Sequence, residues 1–191
     1  MKETGRLIIM AAPSGGGKTS VIKRLLSKNP NMVHSISCTT RTERPGEVNS
    51  KYYHHIDRKT FEEGIRAGRF TEWAEVHNNL YGTPKEPLDK WLSEGRNVVF
   101  DLDVVGSLNL KKFYGEKAIT IFILPPSIDE LKHRLTGRAT DSREVQEIRL
   151  KNALEELTHQ DEFDYKVIND DLDKACLEIE KILARKSQTW S

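Results

Sequence analysis

The chain alternates short apolar runs with segments whose apolar residues recur at helical spacing. Five runs predict strands, the third ending in two acids: Leu7–Ala11, 33–37, 97–103, Ala118–Leu124 and 165–169. Helical spacing predicts helices between and after these runs, including residues 20–26, 127–135, 145–159 and 172–184. Strands that alternate with helices in this way indicate an α/β protein with a parallel sheet covered by helices.

Shorter patterns between residues 52 and 84 predict two further strands, 52–56 and Phe70–Val76. Strict alternation in the second places Phe70, Glu72, Ala74 and Val76 on one face. A carboxylate among apolar neighbours is unfavourable unless it has a partner. Glu72 is therefore a candidate for contact with a ligand.

Two local signals in the same region predict where elements begin and end. Thr60, with Glu63 three residues later, is typical of a helix N-cap. Residues 80–84 predict a turn, from which Pro84 begins the next helix.

The first predicted strand leads into a glycine-rich turn, Ala12-Pro13-Ser14-Gly15-Gly16-Gly17-Lys18-Thr19, and then into a helix at Ser20. Glycines let backbone N–H groups surround an anion, and a helix N-terminus attracts it. Lys18 supplies a charge for terminal phosphates, and Thr19 supplies a hydroxyl for Mg²⁺. The context therefore predicts a phosphate-binding loop rather than a flexible turn with a chance lysine, although Ala12 replaces the usual first glycine.

Charged residues elsewhere also suit a phosphate chemistry. Asp101 and Asp103 lie at the carboxyl end of a predicted strand, where ligands of open α/β sheets bind. Asp101 is expected to orient Mg²⁺, directly or through water. Asp103 is either part of the site or the cap of the following helix.

Two groups of arginines each allow two interpretations. Arg41 and Arg44, among several hydroxyls, suit a phosphate monoester, but composition alone favours a solvated loop. The other group suits a lid over transferring phosphates, although a charged helical surface has the same composition; it comprises Arg134, Arg138, Arg143 and Arg149.

Composition and charge restrict the kinds of protein that this chain can be. The 191 residues carry a net charge of +1, which gives no support to a nucleic-acid partner. We find no apolar stretch of membrane-spanning length and no signal peptide, and the two cysteines are far apart, so a cytoplasmic protein with free thiols is expected. His54 and His55 are neighbours on a predicted strand and point to opposite faces, so they do not predict a shared metal ion.

In this order and spacing, the motifs resemble guanylate kinase, a P-loop nucleoside monophosphate kinase, from about Gly5 to Leu183. The matching segments are residues 12–19, Ser37-Cys38-Thr39-Thr40-Arg41-Thr42-Glu43-Arg44-Pro45-Gly46-Glu47, Thr71-Glu72-Trp73-Ala74, Tyr81-Gly82-Thr83, Asp101-Leu102-Asp103, 131–138 and 167–172. The resemblance overrides the loop interpretation of Arg41 and Arg44.

The resemblance implies a role for each matching position. ATP and its Mg²⁺ are expected at the phosphate loop, residues 12–20, with Lys18 and Thr19 at the phosphates and the metal, and with Asn169 near the adenine. The GMP phosphate is expected at Ser37, Arg41, Arg44 and Tyr53. Guanine is expected at Glu72 and Thr83, with Tyr81 and Asp103 also on the GMP side. The arginines expected to enclose the phosphates are Arg134, Arg138 and Arg149, which act with Lys18 and Arg41 as catalytic residues.

The resemblance also implies an architecture and a reaction. It predicts one domain with a three-layer P-loop NTPase core (1–34, 84–126 and 162–191), a small mixed α/β GMP-binding region (35–83) and a helical lid (127–161). The reaction is direct transfer of the γ-phosphoryl group of MgATP to GMP, within purine nucleotide metabolism. The partners are small nucleotides, not nucleic acid or membrane, and the chain is a monomer or a homodimer.

The sequence allows two alternatives to this reaction. A non-catalytic guanylate-kinase-like binding module is typical of a degraded phosphate loop, whereas Lys18, Thr19 and Asp101 are all present here. A kinase for a sugar phosphate would not need Glu72 and Thr83 to recognise guanine.

Overall fold

A computed structural model describes residues 5–43, 53–76, 78–136 and 143–187. Within them the strands are β1 (Leu7–Ala11), β2 (Met32–Ser35), β3 (Ser37–Thr39), β4 (Tyr53–His55), β5 (Phe70–Val76), β6 (Asn79–Pro84), β7 (Asn97–Asp101), β8 (Ala118–Leu124) and β9 (Tyr165–Ile168). The helices are α1 (Lys18–Lys28), α2 (Arg58–Arg66), α3 (Lys85–Ser93), α4 (Val104–Tyr114), α5 (Ile128–Thr136), α6 (Arg143–Leu157) and α7 (Leu172–Ser187).

The strands form two sheets. The five-stranded sheet has the order β2-β7-β1-β8-β9, and the pairs β2–β7 and β8–β9 are parallel. The four-stranded sheet has the order β4-β3-β6-β5 and is mixed, because β3 is parallel to β4 but antiparallel to β6. The predicted α/β class with a parallel sheet is confirmed.

The central strands of the five-stranded sheet are buried along almost their whole length. Residues 8–11 of β1, 98–100 of β7 and 121–123 of β8 are fully inaccessible to solvent. Strands of a parallel sheet are covered on both faces, so they require continuous apolar runs rather than alternation. This explains why the runs in the sequence located these strands to within a few residues.

The chain divides into two compact units. One comprises residues 1–7 and 31–100, and the other comprises residues 8–30 and 101–191. The four-stranded sheet belongs to the first unit. The glycine-rich loop and the helices α4 to α7 belong to the second.

Two predictions about element ends were wrong. Asp57, not Thr60, is the N-cap of α2, and its Oδ1 accepts the N–H of Thr60 at 2.9 Å. A carboxylate at this position interacts more strongly with the helix N-terminus than a hydroxyl does. The predicted strand 33–37 is interrupted, since β2 ends at Ser35 and Ser37 begins β3 in the other sheet.

The predicted turn at residues 80–84 is instead strand β6. The positive φ of 65° lies earlier, at Asn78, immediately before this strand. Gly82 is required for packing rather than for a turn, because a Cβ there would lie 2.9 Å from Cζ of Phe61. Pro84 is the last residue of β6 and the N-cap of α3.

The predicted face of β5 was wrong for Phe70. The pairing of β5 with β6 shifts between Phe70 and Glu72, as in a β-bulge, and this breaks the alternation. Phe70 stacks on Phe61 of α2, with ring centroids 4.3 Å apart, and approaches the side of Gly82. Glu72 points to the opposite face of the sheet, where it contacts Thr83.

Candidate active site

The glycine-rich loop connects β1 to α1, as the sequence predicted. Gly15 and Gly17 have φ of 86° and 89°, a backbone conformation that favours glycine. A Cβ on Gly17 would also lie 2.2 Å from Nδ2 of Asn169. Inside the turn, the N–H of Gly16 donates to the carbonyl of Pro13 at 2.8 Å. The loop therefore depends on its glycines both for its torsion angles and for its close contacts.

Lys18, at the first turn of α1, is held by the last residue of β7 and by the residue after it. Its Nζ lies 2.9 Å from Oδ1 of Asp101 and donates a hydrogen bond to the carbonyl of Leu102. Both side chains of the ion pair are largely shielded, with 17% and 16% of their surface exposed. Thr19, the next residue, is exposed. The structure thus brings together the predicted phosphate lysine and the predicted acid at the end of the central strand.

Asn169, the residue after β9, is buried and forms a hydrogen bond with the loop. Its Nδ2 donates to the carbonyl of Gly16 at 3.0 Å, and Asn169 is 7% exposed. Arg134 of α5 donates through Nη2 to the backbone carbonyl of Asn169 at 3.2 Å and through Nε to Glu130 at 2.8 Å. Asn169 therefore supports the loop through its amide, and its predicted position near the adenine stays a prediction.

Ser14 receives two contacts from α6. Oε2 of Glu156 accepts its backbone N–H at 2.9 Å, and Nη2 of Arg149 donates to its Oγ at 3.3 Å. Burial raises the pKa of Glu156; the hydrogen bond from Ser14 opposes this rise and the charge of Asp103 adds to it. Arg149 was predicted from the sequence and Glu156 was missed. The signal was present, because residues seven apart in a helix lie on the same face.

Asp103 has a definite structural role. Its Oδ1 accepts the N–H of Gly106 at 2.6 Å, and it is the N-cap of α4. Of the two interpretations that the sequence left open, the structure supports the cap. A role on the GMP side stays a prediction.

The remaining positions of the ATP group also have defined environments. Ala12 and Pro13 are buried at the start of the loop, and the N–H of Ser20 donates to the carbonyl of Gly17 at 3.1 Å.

Two of the predicted arginines, Arg44 and Arg138, lie outside the residues that the structure describes.

A second group of predicted site residues lies on one face of the four-stranded sheet. Strand pairing places Ser37 beside Tyr53, Thr39 beside Tyr81, and Glu72 beside Thr83. Paired residues share a face and alternate with their chain neighbours. Five of the residues expected at GMP therefore share this face: Ser37, Tyr53, Glu72, Tyr81 and Thr83.

The side chains of Glu72 and Thr83 form a direct hydrogen bond on this face. Oγ1 of Thr83 donates to Oε1 of Glu72 at 2.5 Å. Burial raises the pKa of Glu72, and the hydrogen bonds from Thr83 only partly oppose this rise. Thr83 is 1% exposed. The carboxylate thus has one neutral partner and no described cation paired with it, an arrangement that suits N–H donors from a ligand.

Aromatic rings and a guanidinium border the same face. The rings of Tyr53 and Tyr81 meet edge to face with centroids 5.7 Å apart. Cζ of Arg41 lies 5.6 Å from the centroid of Tyr53, and the carbonyl of Arg41 is 2.7 Å from Nδ1 of His55. The structure therefore brings Arg41 to the ring of Tyr53, the residue with which the resemblance grouped it.

An open cavity lies elsewhere in this unit. It has a volume of about 650 Å³ and is lined by residues such as Cys38, Gly64 and Phe70, but by none of the residues predicted to bind a nucleotide. Strand pairing places Cys38 beside Gly82, on the face away from Glu72. We therefore place the candidate site by its polar residues and not by this cavity.

Neither of the adjacent histidines belongs to a cluster of three or more histidine, cysteine or acidic side chains suited to a metal, and no such cluster occurs in the described ranges. None of the helices described is both long enough and apolar enough to cross a membrane.

A buried β-strand, a glycine-rich loop and a helix that begins with Lys-Thr, set in a parallel sheet, define a P-loop nucleotide-binding protein. Comparison with known proteins narrows the class. A family model described as guanylate kinase matches residues 4–186. The chain belongs to the guanylate kinase family.

Individual relatives agree with this assignment. The chain is 47% identical over 181 residues to a guanylate kinase of Bacteroides thetaiotaomicron, covering 94% of this chain and 89% of the relative. It is 44% identical to that of Corynebacterium jeikeium, covering 94% and 96%. The crystal structure of guanylate kinase from Anaplasma phagocytophilum matches with a TM-score of 0.74 at 31% identity, covering 100% of this chain and 90% of that one.

Proposed function

We propose that this chain transfers the γ-phosphoryl group of ATP to GMP, giving ADP and GDP. The observation that carries the proposal is the intact phosphate loop, in which Lys18 is held 2.9 Å from Asp101. A binding module without catalysis would not need this shielded charge pair. Family membership supports the same reaction.

The proposed mechanism is direct transfer. An oxygen of the GMP phosphate attacks the γ-phosphorus of ATP, the bond from that phosphorus to the β–γ bridging oxygen breaks, and ADP leaves. No covalent enzyme intermediate is needed, so the protein acts by positioning and by offsetting charge. The residues proposed to offset charge are Lys18, Arg41, Arg44, Arg134, Arg138 and Arg149.

Two sets of residues are proposed to bind the substrates. ATP is assigned to residues 12–20, with Asn169 supporting the loop through Gly16. GMP is assigned to the sheet face described above, with its phosphate near Ser37, Arg41, Arg44 and Tyr53 and its base near Glu72, Tyr81 and Thr83. Asp103 is retained on the GMP side as a prediction, next to its role as the cap of α4.

The residues present suit Mg²⁺ that arrives with ATP. Thr19 and Asp101 offer oxygen donors, which Mg²⁺ prefers, and two protein oxygens suffice when nucleotide phosphates provide others. Thr19 is exposed at the end of the loop. Asp101 is engaged by Lys18, so the assignment of Asp101 includes contact with the ion through water. When bound, the ion would offset the negative charge of the phosphates.

The subregions, the cellular location, the partners and the oligomeric state of the chain are also proposals. The subregions are taken as a core (1–34, 84–126 and 162–191), a GMP-binding region (35–83) and a lid (127–161). Cys38 and Cys176 are free thiols, which supports a cytoplasmic location. The substrates are small nucleotides, with no nucleic acid or membrane partner, and the chain is proposed to act as a monomer or a homodimer.

The reaction is tested by ADP release with ATP, Mg²⁺ and one acceptor at a time. We expect rapid turnover with GMP and little with AMP, UMP or a ribose bisphosphate. Turnover with the ribose bisphosphate but not GMP would favour the sugar-phosphate kinase. Nucleotide binding without turnover on any acceptor would favour the binding module.

Amide hydrogen exchange in residues 127–161 is expected to slow when both substrates bind. The segment carries many charges, and Arg134 and Arg149 reach the loop region through polar contacts. Although α5 and α6 share an apolar cluster around Leu131 and Ala153, their hydrogen bonds to the loop region open more easily than fully buried strands do. The amides of α5 and α6 should therefore exchange faster than those of β1 and β7. GMP with a non-hydrolysable ATP analogue should slow this exchange. Protection in α5 and α6 that is unchanged by both ligands together would contradict the lid.

A further inference from the structure

Glu156 contacts the phosphate loop, and the proposed mechanism gives it no role. Its carboxylate accepts the backbone N–H of Ser14 at 2.9 Å. Backbone N–H groups of such a loop normally serve to bind phosphate oxygens, and an acid beside them repels phosphates. A carboxylate in this place needs a role that offsets the repulsion.

The surroundings of Glu156 show how firmly it is held. It follows Leu150 and Ala153 on α6, which belong to the cluster formed with Leu131 and Leu135 of α5. The next residue, Leu157, packs against this cluster and also against the core cluster that includes Ala11 and Phe122. The carboxylate therefore projects from a part of α6 anchored in apolar packing.

Glu156 and Arg149 act on the same residue from the same helix. Arg149 lies two turns before Glu156 and donates to Oγ of Ser14 at 3.3 Å. Ser14 is thus fixed by its N–H and by its hydroxyl to two side chains of α6. Any shift of Ser14 would also move the partner of Arg149, which is proposed to contact the phosphates.

We propose that Glu156 is a positioning residue for phosphoryl transfer, which fixes the start of the phosphate loop and aligns Arg149 with it. This inference rests on the proposed use of ATP. The role requires an acceptor atom and not a negative charge, since Lys18 already has Asp101 as its partner. A glutamine can supply that acceptor, while an alanine cannot.

The test compares Glu156→Ala and Glu156→Gln in the full chain, with Glu155→Ala and Glu155→Gln as controls. Glu155 is the exposed neighbour with the same charge. We expect Glu156→Ala to lower kcat/KM for ATP about 10- to 100-fold through misplacement of the reacting groups, with KM for GMP changed less than about 2-fold. The kcat/KM of Glu156→Gln for ATP should stay within about 3-fold of the native value. Both Glu155 variants should have the native value.

Each other outcome has a defined meaning. Equal losses for the alanine and glutamine variants would assign a charge or proton role and overturn positioning, and an active alanine variant would remove any role. Thermal unfolding and direct binding of an ATP analogue separate misfolding from misplacement. If the alanine variant is unfolded, a glutamine variant with native kcat/KM supports the acceptor role, and a folded glutamine variant with a large loss overturns it. An inactive native protein would count against the proposed function instead.

Discussion

Lys18→Met is expected to keep the fold and to lower kcat by about 10²-fold or more at saturating nucleotide. The ammonium group is preorganised on the loop by Asp101 and the carbonyl of Leu102, so it stabilises transferring charge without reorganisation. Methionine retains much of the side-chain volume but removes the charge. Lys18→Ala should give the same loss with a larger packing defect. The measurement is ADP release with GMP as acceptor.

Lys23→Met provides the matched control for this prediction. Lys23 lies on the same helix, α1, and is exposed, so the same change in charge should leave kcat unchanged. Removing Lys18 leaves the shielded Asp101 without its cation, and thermal unfolding of the variant measures how much stability that costs. Near-native turnover of a folded Lys18→Met protein, free of contaminating kinase, would contradict the assignment of the loop.

The sequence predicted best the features that depend on neighbours in the chain. β1, the glycine-rich loop and α1 follow one another directly, and their apolar run, glycines and Lys-Thr pair each have a local physical meaning. The alternation in residues 70–76 likewise identified β5. Local signals of this kind locate an element without knowledge of what packs against it.

The errors arose where a distant residue decides the outcome. Gly82 resembles a turn residue, but the ring of Phe61 requires a glycine within a strand there. The shift of pairing after Phe70 depends on the partner strand β6. Glu156 contacts a residue 142 positions away. Its spacing from Arg149 placed both on one face of α6, but nothing near it in the chain showed that Ser14 is its partner.

Glu72→Gln is expected to lower kcat/KM for GMP strongly and to reduce the preference for GMP over AMP, while ATP binding changes little. Guanine presents N1–H and the N2 amine side by side, and an ionised carboxylate can accept both. Adenine offers neither donor at these positions, so it leaves the half-buried acid without N–H partners from the base. Sites built on such hydrogen bonds can reject the wrong substrate by about 10⁴-fold. An amide supplies only one acceptor oxygen.

The structure adds two conditions to this prediction. The single hydroxyl hydrogen of Thr83 is donated to Glu72, so it must rotate away before it can donate to O6 of guanine. Burial raises the pKa of Glu72, so its ionised form is lost at a higher pH than for an ordinary glutamate. As pH falls, kcat/KM for GMP should therefore decline in the native protein earlier than solvent-exposed glutamates titrate, and Glu72→Gln should lack this decline.

Glu75→Gln separates base recognition from a general effect on the strand. Glu75 lies on the same strand, is exposed and pairs with Arg58 at 2.7 Å, so its loss should leave both substrates unaffected. The decisive measurement is kcat/KM for GMP and for AMP in the three proteins across the acidic pH range. If Glu72→Gln leaves the ratio of GMP to AMP unchanged, Glu72 does not recognise the base. The face that carries Ser37, Tyr53 and Thr83 would then suit a sugar phosphate better than a guanine nucleotide.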